Sequence, residues 1–222
     1  MDFRHFDLLL YDIDGTLVDT GGAGMNALSQ AAERFFGAPA PQLDLAGSTD
    51  LGIIKNLIDH YGQDHAALDV DDFFSLYHDL LESNLASGEY PGRVIHGVRE
   101  ALAHGAEHQI AMGLLTGNTK TGARIKTRHY QLHGYFPYGA FGDDHADRNL
   151  LGPVALSRAS SHHGRDFDSA ATLVIGDTPK DIACAHAMGG KCLAVATGSF
   201  SADALRAAGA DWVVHSLEEW LP

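Results

Sequence analysis

Three things are scarce in this chain. There are only two cysteines, Cys184 and Cys192, too few for a disulfide framework and suited to a reducing compartment. Positive charge is short as well: 15 Lys and Arg stand against 29 Asp and Glu, a formal net charge of −14. Nucleic acid and anionic membrane surfaces both call for a basic footprint, so neither is an expected partner. Long apolar runs are missing too. The first, Leu8 to Tyr11, is bracketed by Asp7 and Asp12 and is far too short to span a bilayer. No small-residue cleavage site follows an apolar stretch near the start, so the expectation is a soluble cytoplasmic protein.

What remains is a globular composition. A hydrophobic fraction of 45% excludes a disordered chain, and the 222 residues correspond to one or two domains. Five short apolar runs recur: Leu8 to Tyr11, Ile110 to Leu115, Leu173 to Ile175, Cys192 to Ala196 and Trp212 to Val214. They do not alternate with polar residues, which is how strands buried on both faces of a parallel sheet read. A weaker strand is expected near Gly139 to Phe141. Helical patterns lie between the runs: Val94, Val98, Ala101 and Leu102; then Leu151, Val154 and Ala155; then Ile182, Ala185 and Met188. The alternation predicts an α/β fold, a doubly wound and mostly parallel Rossmann-like sheet.

The stretch from Gly21 to about Tyr90 breaks the rhythm. It carries three amphipathic patterns, the first through Met25, Leu28, Ala32, Phe35 and Phe36, the second through Leu51, Ile54, Leu57 and Tyr61. The third runs through Phe73, Tyr77, Leu80 and Leu81, all with helical spacing. The expected organisation is a core made of residues 1–20 and 91–222, with a helical insertion at 21–90. Ligands of such sheets sit at the C-terminal strand ends, so the insertion would stand over the site.

Strand-end chemistry is concentrated there. Asp12-Ile13-Asp14-Gly15-Thr16-Leu17 closes the first strand, and side chains two apart along an extended chain share a side. Asp12 and Asp14 therefore converge, or the string is a solvated turn. It also begins a calcium-loop pattern, but the bidentate Glu that pattern needs near its end is absent. Thr116-Gly117-Asn118-Thr119 follows the second strand and suits either phosphate binding at a helix start or a plain helix cap. Gly176-Asp177-Thr178-Pro179-Lys180-Asp181 ends the fourth, with Pro179 at a first helical position. Asp147-Arg148-Asn149 lies between them. Carboxylates packed together repel, so Asp12, Asp14, Asp177 and Asp181 call for a cation, and oxygen-only ligands suit Mg²⁺.

These strings, in this order and spacing, resemble three motifs of the haloacid dehalogenase-like hydrolase superfamily. The resemblance covers essentially the whole chain, and the helical insertion resembles the C1 cap of the phosphoglycolate phosphatase and β-phosphoglucomutase group. It implies that Asp12 is the nucleophile, forming an aspartyl-phosphate, and that Asp14 is the acid and base. It implies Mg²⁺ held by the Asp12 and Asp177 carboxylates and the Asp14 backbone carbonyl, with Asp181 a ligand or the support of one. Thr116, Gly117 and Asn118 would bind phosphoryl oxygens. The remaining motif is usually a lysine; here Arg148 is the expected phosphate clamp, with Lys120 and Lys180 as alternatives.

Asp14 favours phosphate chemistry over carbon–halogen cleavage, since the dehalogenases lack an acid at this position. A phosphonate hydrolase would need a cap lysine, and Lys55, the only one between Gly21 and Tyr90, reads as a solvated helix residue. The expected activity is a Mg²⁺-dependent phosphomonoester hydrolase acting on a small phosphorylated metabolite. A sugar-phosphate mutase would share the same Asp pair. A non-catalytic binding protein would have lost Asp12, Asp14 or Asp177, all of which are present. In the loop Gly47-Ser48-Thr49-Asp50, Ser48 and Thr49 either contact substrate or cap the next helix. Ser48 takes a place where relatives often carry a basic residue, which argues against a second anionic group on the substrate. His104 with His108, and His162 with His163 in a loop before Gly164, lack the converging partners of a zinc site and read as solvated. Cys184 reads as a small core residue.

Overall fold

The computed structural model describes residues 3–41, 45–65 and 68–222. Six strands form one parallel sheet in the order β5-β4-β1-β6-β7-β8. They are β1 (Leu8–Tyr11), β4 (Ala111–Leu115), β5 (Gly139–Ala140), β6 (Thr172–Gly176), β7 (Lys191–Val195) and β8 (Trp212–Val214). The absence of alternation in the apolar runs has a direct cause. Leu9 and Tyr11 enter one core with Leu173, Ile175, Leu193 and Val195. Leu8 and Leu10 enter a second core, on the other face, with Leu115, Val174, Cys192 and Ala194. Helices α4 (Val98–Glu107) and α5 (Lys120–His129) cover the first face. The second is covered by α6 (Leu151–His163), α7 (Pro179–Ala187) and α8 (Ala202–Ala207). This is a doubly wound, Rossmann-like α/β sheet. Among the described residues no helix is long and apolar enough to cross a membrane.

Between β1 and β4 the chain forms α1 (Ala23–Phe36), α2 (Asp50–His60) and α3 (Val70–Ser87). Phe73 on α3 is fully buried and meets Phe35 of α1 edge-on at 5.5 Å. Burial of such large rings is the main force holding helices of this length together. Thr49 caps α2 by accepting the Gly52 N–H at 3.1 Å, and Asp69 caps α3. The two crossings of the chain into and out of this unit are joined: β2 (Val18–Asp19) pairs antiparallel with β3 (Arg93–Val94).

Three local expectations are corrected. Val94 does not share a helix with Val98; it pairs with Val18, and Gly97 in the left-handed region at φ 82° starts the helix after it. Met25 belongs to the amphipathic pattern of α1 but is 62% exposed. His162 and His163 are not in a loop but end α6, which closes at Gly164.

Candidate active site

Sheet register brings the strand-end residues together. β1 lies between β4 and β6, with Tyr11 level with Leu114 on one side and Ile175 on the other. The residues that leave the sheet next to one another are therefore Asp12, Thr116 and Asp177. Asp12 is still anchored to the sheet, its N–H donating to Ile175 O at 2.9 Å. The chain then turns at Gly15, whose φ of 79° is a conformation that side-chain-bearing residues avoid. A Cβ there would also collide with the Asp177 carboxylate. The turn delivers the Thr16 hydroxyl to Asp177 Oδ1 at 3.0 Å.

At the end of β6, Thr178 and Asp181 form a capping box on α7 with Pro179 in the first turn, as its sequence suggested. Asp181 Oδ2 accepts from the Thr178 N–H at 2.9 Å and from its hydroxyl at 2.7 Å. Asp181 Oδ1 is taken by Arg148 Nη2. Arg148 reaches over from the turn before α6, buried, with Nη2 3.4 Å from Asp12 Oδ1 and Nη1 donating to Gly47 O at 2.9 Å. The Cys184 thiol on α7 donates to the Arg148 carbonyl at 3.1 Å, fixing that turn. Arg148 Nε is buried without a partner. Both oxygens of Asp181 are thus engaged in holding Arg148 and the helix start.

The electrostatics are those of crowded acids. Burial, together with the neighbouring carboxylates of Asp181 and Asp14, raises Asp12 to about 6 against the opposing pull of Arg148. Asp177 is pushed up to about 8, chiefly by burial and then by Asp181 and Asp12. Burial works against the Arg148 charge, yet Asp181 and Asp12 outweigh it and hold the guanidinium above its usual range. Among the described residues, Asp12, Asp177 and Asp181 are the one group able to offer three ligand atoms within 4.8 Å of one another. Three buried carboxylates facing one guanidinium leave net negative charge, and an oxygen-only donor set matches a hard divalent cation. The residues fit such an ion. The histidine pairs join no such group.

The Asp14 carboxylate is turned away from this cluster. Oδ2 accepts from Asn118 Nδ2 at 2.8 Å and from Lys126 Nζ at 2.6 Å. Lys126 also donates to Asn118 Oδ1 at 2.6 Å, and Asn118 Nδ2 reaches Thr116 Oγ1 at 2.9 Å. Asp14 is 43% exposed, whereas Lys126 is 4% exposed. Sequence reasoning missed Lys126, which sits among Lys120, Arg124 and Arg128 in a helix of polar composition. The available signal was spacing: Lys126 falls on one stripe with Gly122, Ala123 and Thr127, the buried face of α5. The other lysines lie elsewhere. Lys180 Nζ donates to Ser48 Oγ at 2.7 Å, and Lys120 lines a separate cavity between α5 and α6.

The haloacid dehalogenase-like hydrolase family model matches residues 9–195. The chain belongs to that family. Solved structures share the fold of this hydrolase. A candidate β-phosphoglucomutase from Thermotoga maritima is 23% identical, with 97% of this chain and 96% of that one covered at a TM-score of 0.63. A variant of CbbY from Rhodobacter sphaeroides, crystallised with xylulose-(1,5)bisphosphate, is 18% identical over 96% of both chains at a TM-score of 0.77. A predicted phosphoglycolate phosphatase from Haemophilus somnus is 16% identical, covering 98% and 97%, at 0.69. No curated protein matches.

The hydrolase closes its strand-end cluster into a cavity of about 460 Å³, in the range of small-molecule sites. Asp12, Asp14, Gly117, Asn118, Arg148 and Asp177 line it, as does Ser48; Thr116, Thr49 and Asp181 do not. Thr49 spends its hydroxyl on Ala146 O at 2.7 Å and on the α2 cap. Gly117 is pressed against Ser48 so closely that a Cβ would strike the Ser48 carbonyl. Asp50 is buried at the start of α2, with Oδ2 accepting the Thr119 N–H at 2.8 Å. Burial raises it to about 6, against the opposing pull of Lys126 and of that hydrogen bond.

Proposed function

We propose that this hydrolase is a Mg²⁺-dependent phosphomonoester hydrolase working through an aspartyl-phosphate on Asp12. One observation carries the reading: Asp12 lies buried between Arg148 and two further carboxylates, while Asp14, two residues on, is held apart with its carboxylate open to the cavity. Two acids in such different surroundings are suited to different tasks. Asp12 attacks phosphorus, the ester P–O bond breaks, and the proton on Asp14 passes to the leaving alcohol oxygen. Asp14 then takes a proton from the water that attacks the aspartyl-phosphate, releasing inorganic phosphate and restoring Asp12.

The carboxylates of Asp12 and Asp177 and the Asp14 backbone carbonyl would hold the cation, with Asp181 as a further ligand or as the anchor of Arg148. A divalent ion held there would neutralise charge that the nucleophile and the phosphoryl group bring together. Gly117 and Asn118 orient the phosphoryl oxygens, with the Thr116 hydroxyl holding Asn118 in place, and Arg148 clamps them beside Asp12. Residues 21–90 serve as a C1-type cap, with Ser48 at its inner edge and Thr49 capping α2 behind it. The test is a screen of small phosphorylated metabolites in Mg²⁺, following free phosphate and isomeric products together. Phosphate release that stops on chelation supports the reading. Isomer formation without phosphate release would assign a mutase instead.

A further inference from the structure

The cavity is asymmetric in charge. Two cations line it, Lys126 and Arg148, against five carboxylates. Arg148, Asp12 and Asp177 form the end where the phosphoryl group is handled. Next to it, on the side of the leaving-group acid, Lys126 is already bonded to Asp14, and the Asp50 carboxylate lies buried near them. Asp19 at the rim has Arg93 at 3.4 Å. The described residues therefore present the leaving-group end with more negative than positive charge. Val18, Leu28, Leu45 and Ile53 add apolar lining to the cavity. Met25 also lines it, and with Leu150 it is one of two large apolar side chains left exposed among the described residues.

Resting on the phosphatase reading, we infer that the enzyme selects phosphate monoesters whose alcohol part is uncharged and partly apolar, and discriminates against substrates with a second carboxylate or phosphate. A second anion would be desolvated beside Asp14 and Asp50, where Lys126, the one cation apart from Arg148 among the described lining residues, is already paired with Asp14, and like charges brought together in this way are strongly unfavourable. An alkyl portion would instead cover Met25, Leu28 and Ile53. The Asp14 and Asp50 carboxylates remain able to accept hydrogen bonds from hydroxyl groups on the alcohol.

The experiment compares two esters of similar size, butyl phosphate and the phosphate ester of 3-hydroxypropanoate, with p-nitrophenyl phosphate as the reference. The expected result is a kcat/KM for butyl phosphate at least about tenfold above that of the carboxylate ester. Met25→Lys, which places a cation in the cavity lining, should narrow that ratio several-fold. Normal hydrolysis of p-nitrophenyl phosphate with the carboxylate ester preferred would overturn the inference alone. A ratio that Met25→Lys leaves unmoved would overturn the assignment of the mouth as the part that reads charge. No hydrolysis of any ester in Mg²⁺ would remove the phosphatase reading and this inference with it.

Discussion

Lys126 donates from α5 to Asp14 Oδ2 at 2.6 Å, so the acid proposed to protonate the leaving group is held in place by a buried cation. The same ammonium grips Asn118 Oδ1, tying the end of β4 to the loop after β1. Lys126→Met would leave Asp14 held by Asn118 alone and Asn118 Oδ1 without its donor, loosening both. Misplacing a reacting group by about 1 Å costs on the order of a hundredfold, and the loss should fall on kcat more than on KM. Lys126→Arg should recover part of it. Comparable loss in KM with kcat intact would refute a positioning role.

Asp12→Asn should abolish turnover and leave the fold unchanged, because an amide cannot form the aspartyl-phosphate. Acid-quench trapping of labelled phosphate on the wild-type protein, and its absence in the variant, checks this. A folded Asp12→Asn protein with near-normal turnover would refute the mechanism.

Arg148→Ala should lower kcat/KM by about a hundredfold, roughly 3 kcal/mol, for every ester tested, since it leaves charge unpaired in a desolvated site. Arg148→Lys should restore part of the loss, the charge returning without the guanidinium fork. Lys120→Ala should be nearly silent, because its side chain belongs to another cavity. The reverse ranking would move the clamp to Lys120.

The acid cluster links metal, pH and stability. Asp177 is raised from 3.8 to about 8 and Asp12 to about 6, both first by burial. A carboxyl whose folded-state value lies above its unfolded value disfavours the fold once ionised: the penalty is absent at acid pH, grows through this window, and is complete above the folded value. The metal-free protein should therefore melt at lower temperature as pH rises from about 4 to about 8. Mg²⁺ should raise the melting temperature most at the alkaline end, where protons no longer compete with it. Asp177→Asn should stabilise the metal-free protein and abolish both the Mg²⁺ effect and activity. Calorimetric scans with and without chelator decide this, and melting that rises with pH in chelator would contradict it.

Much of the fold was readable from local pattern. The five apolar runs became β1, β4, β6, β7 and β8 within one residue at either end, and the weak Gly139 strand exists as β5 at the sheet edge. These were legible because burial on both faces leaves an unbroken apolar string. Asp12, Asp14 and Asp177 stood out because polar residues crowd the turns that end such strings, whereas Arg148 stood out only through the family resemblance. Val94 misled because a valine spaced like a helical residue says nothing about a left-handed glycine between it and the helix.

By itself, then, the sequence determined the strand and helix periods and the polar residues at each strand end. Those depend on neighbours a few positions away. Tertiary structure alone decided which of these residues meet, because that follows from strand order and register. Placing β1 between β4 and β6 sets Asp12 beside Asp177 and within reach of Arg148. The same long-range packing decided that one lysine of a polar helix, Lys126, faces inward against Asp14, 112 residues away. It also left Met25 at a cavity mouth rather than in the core, because what a helix face meets is set by the elements packed against it and not by its own spacing.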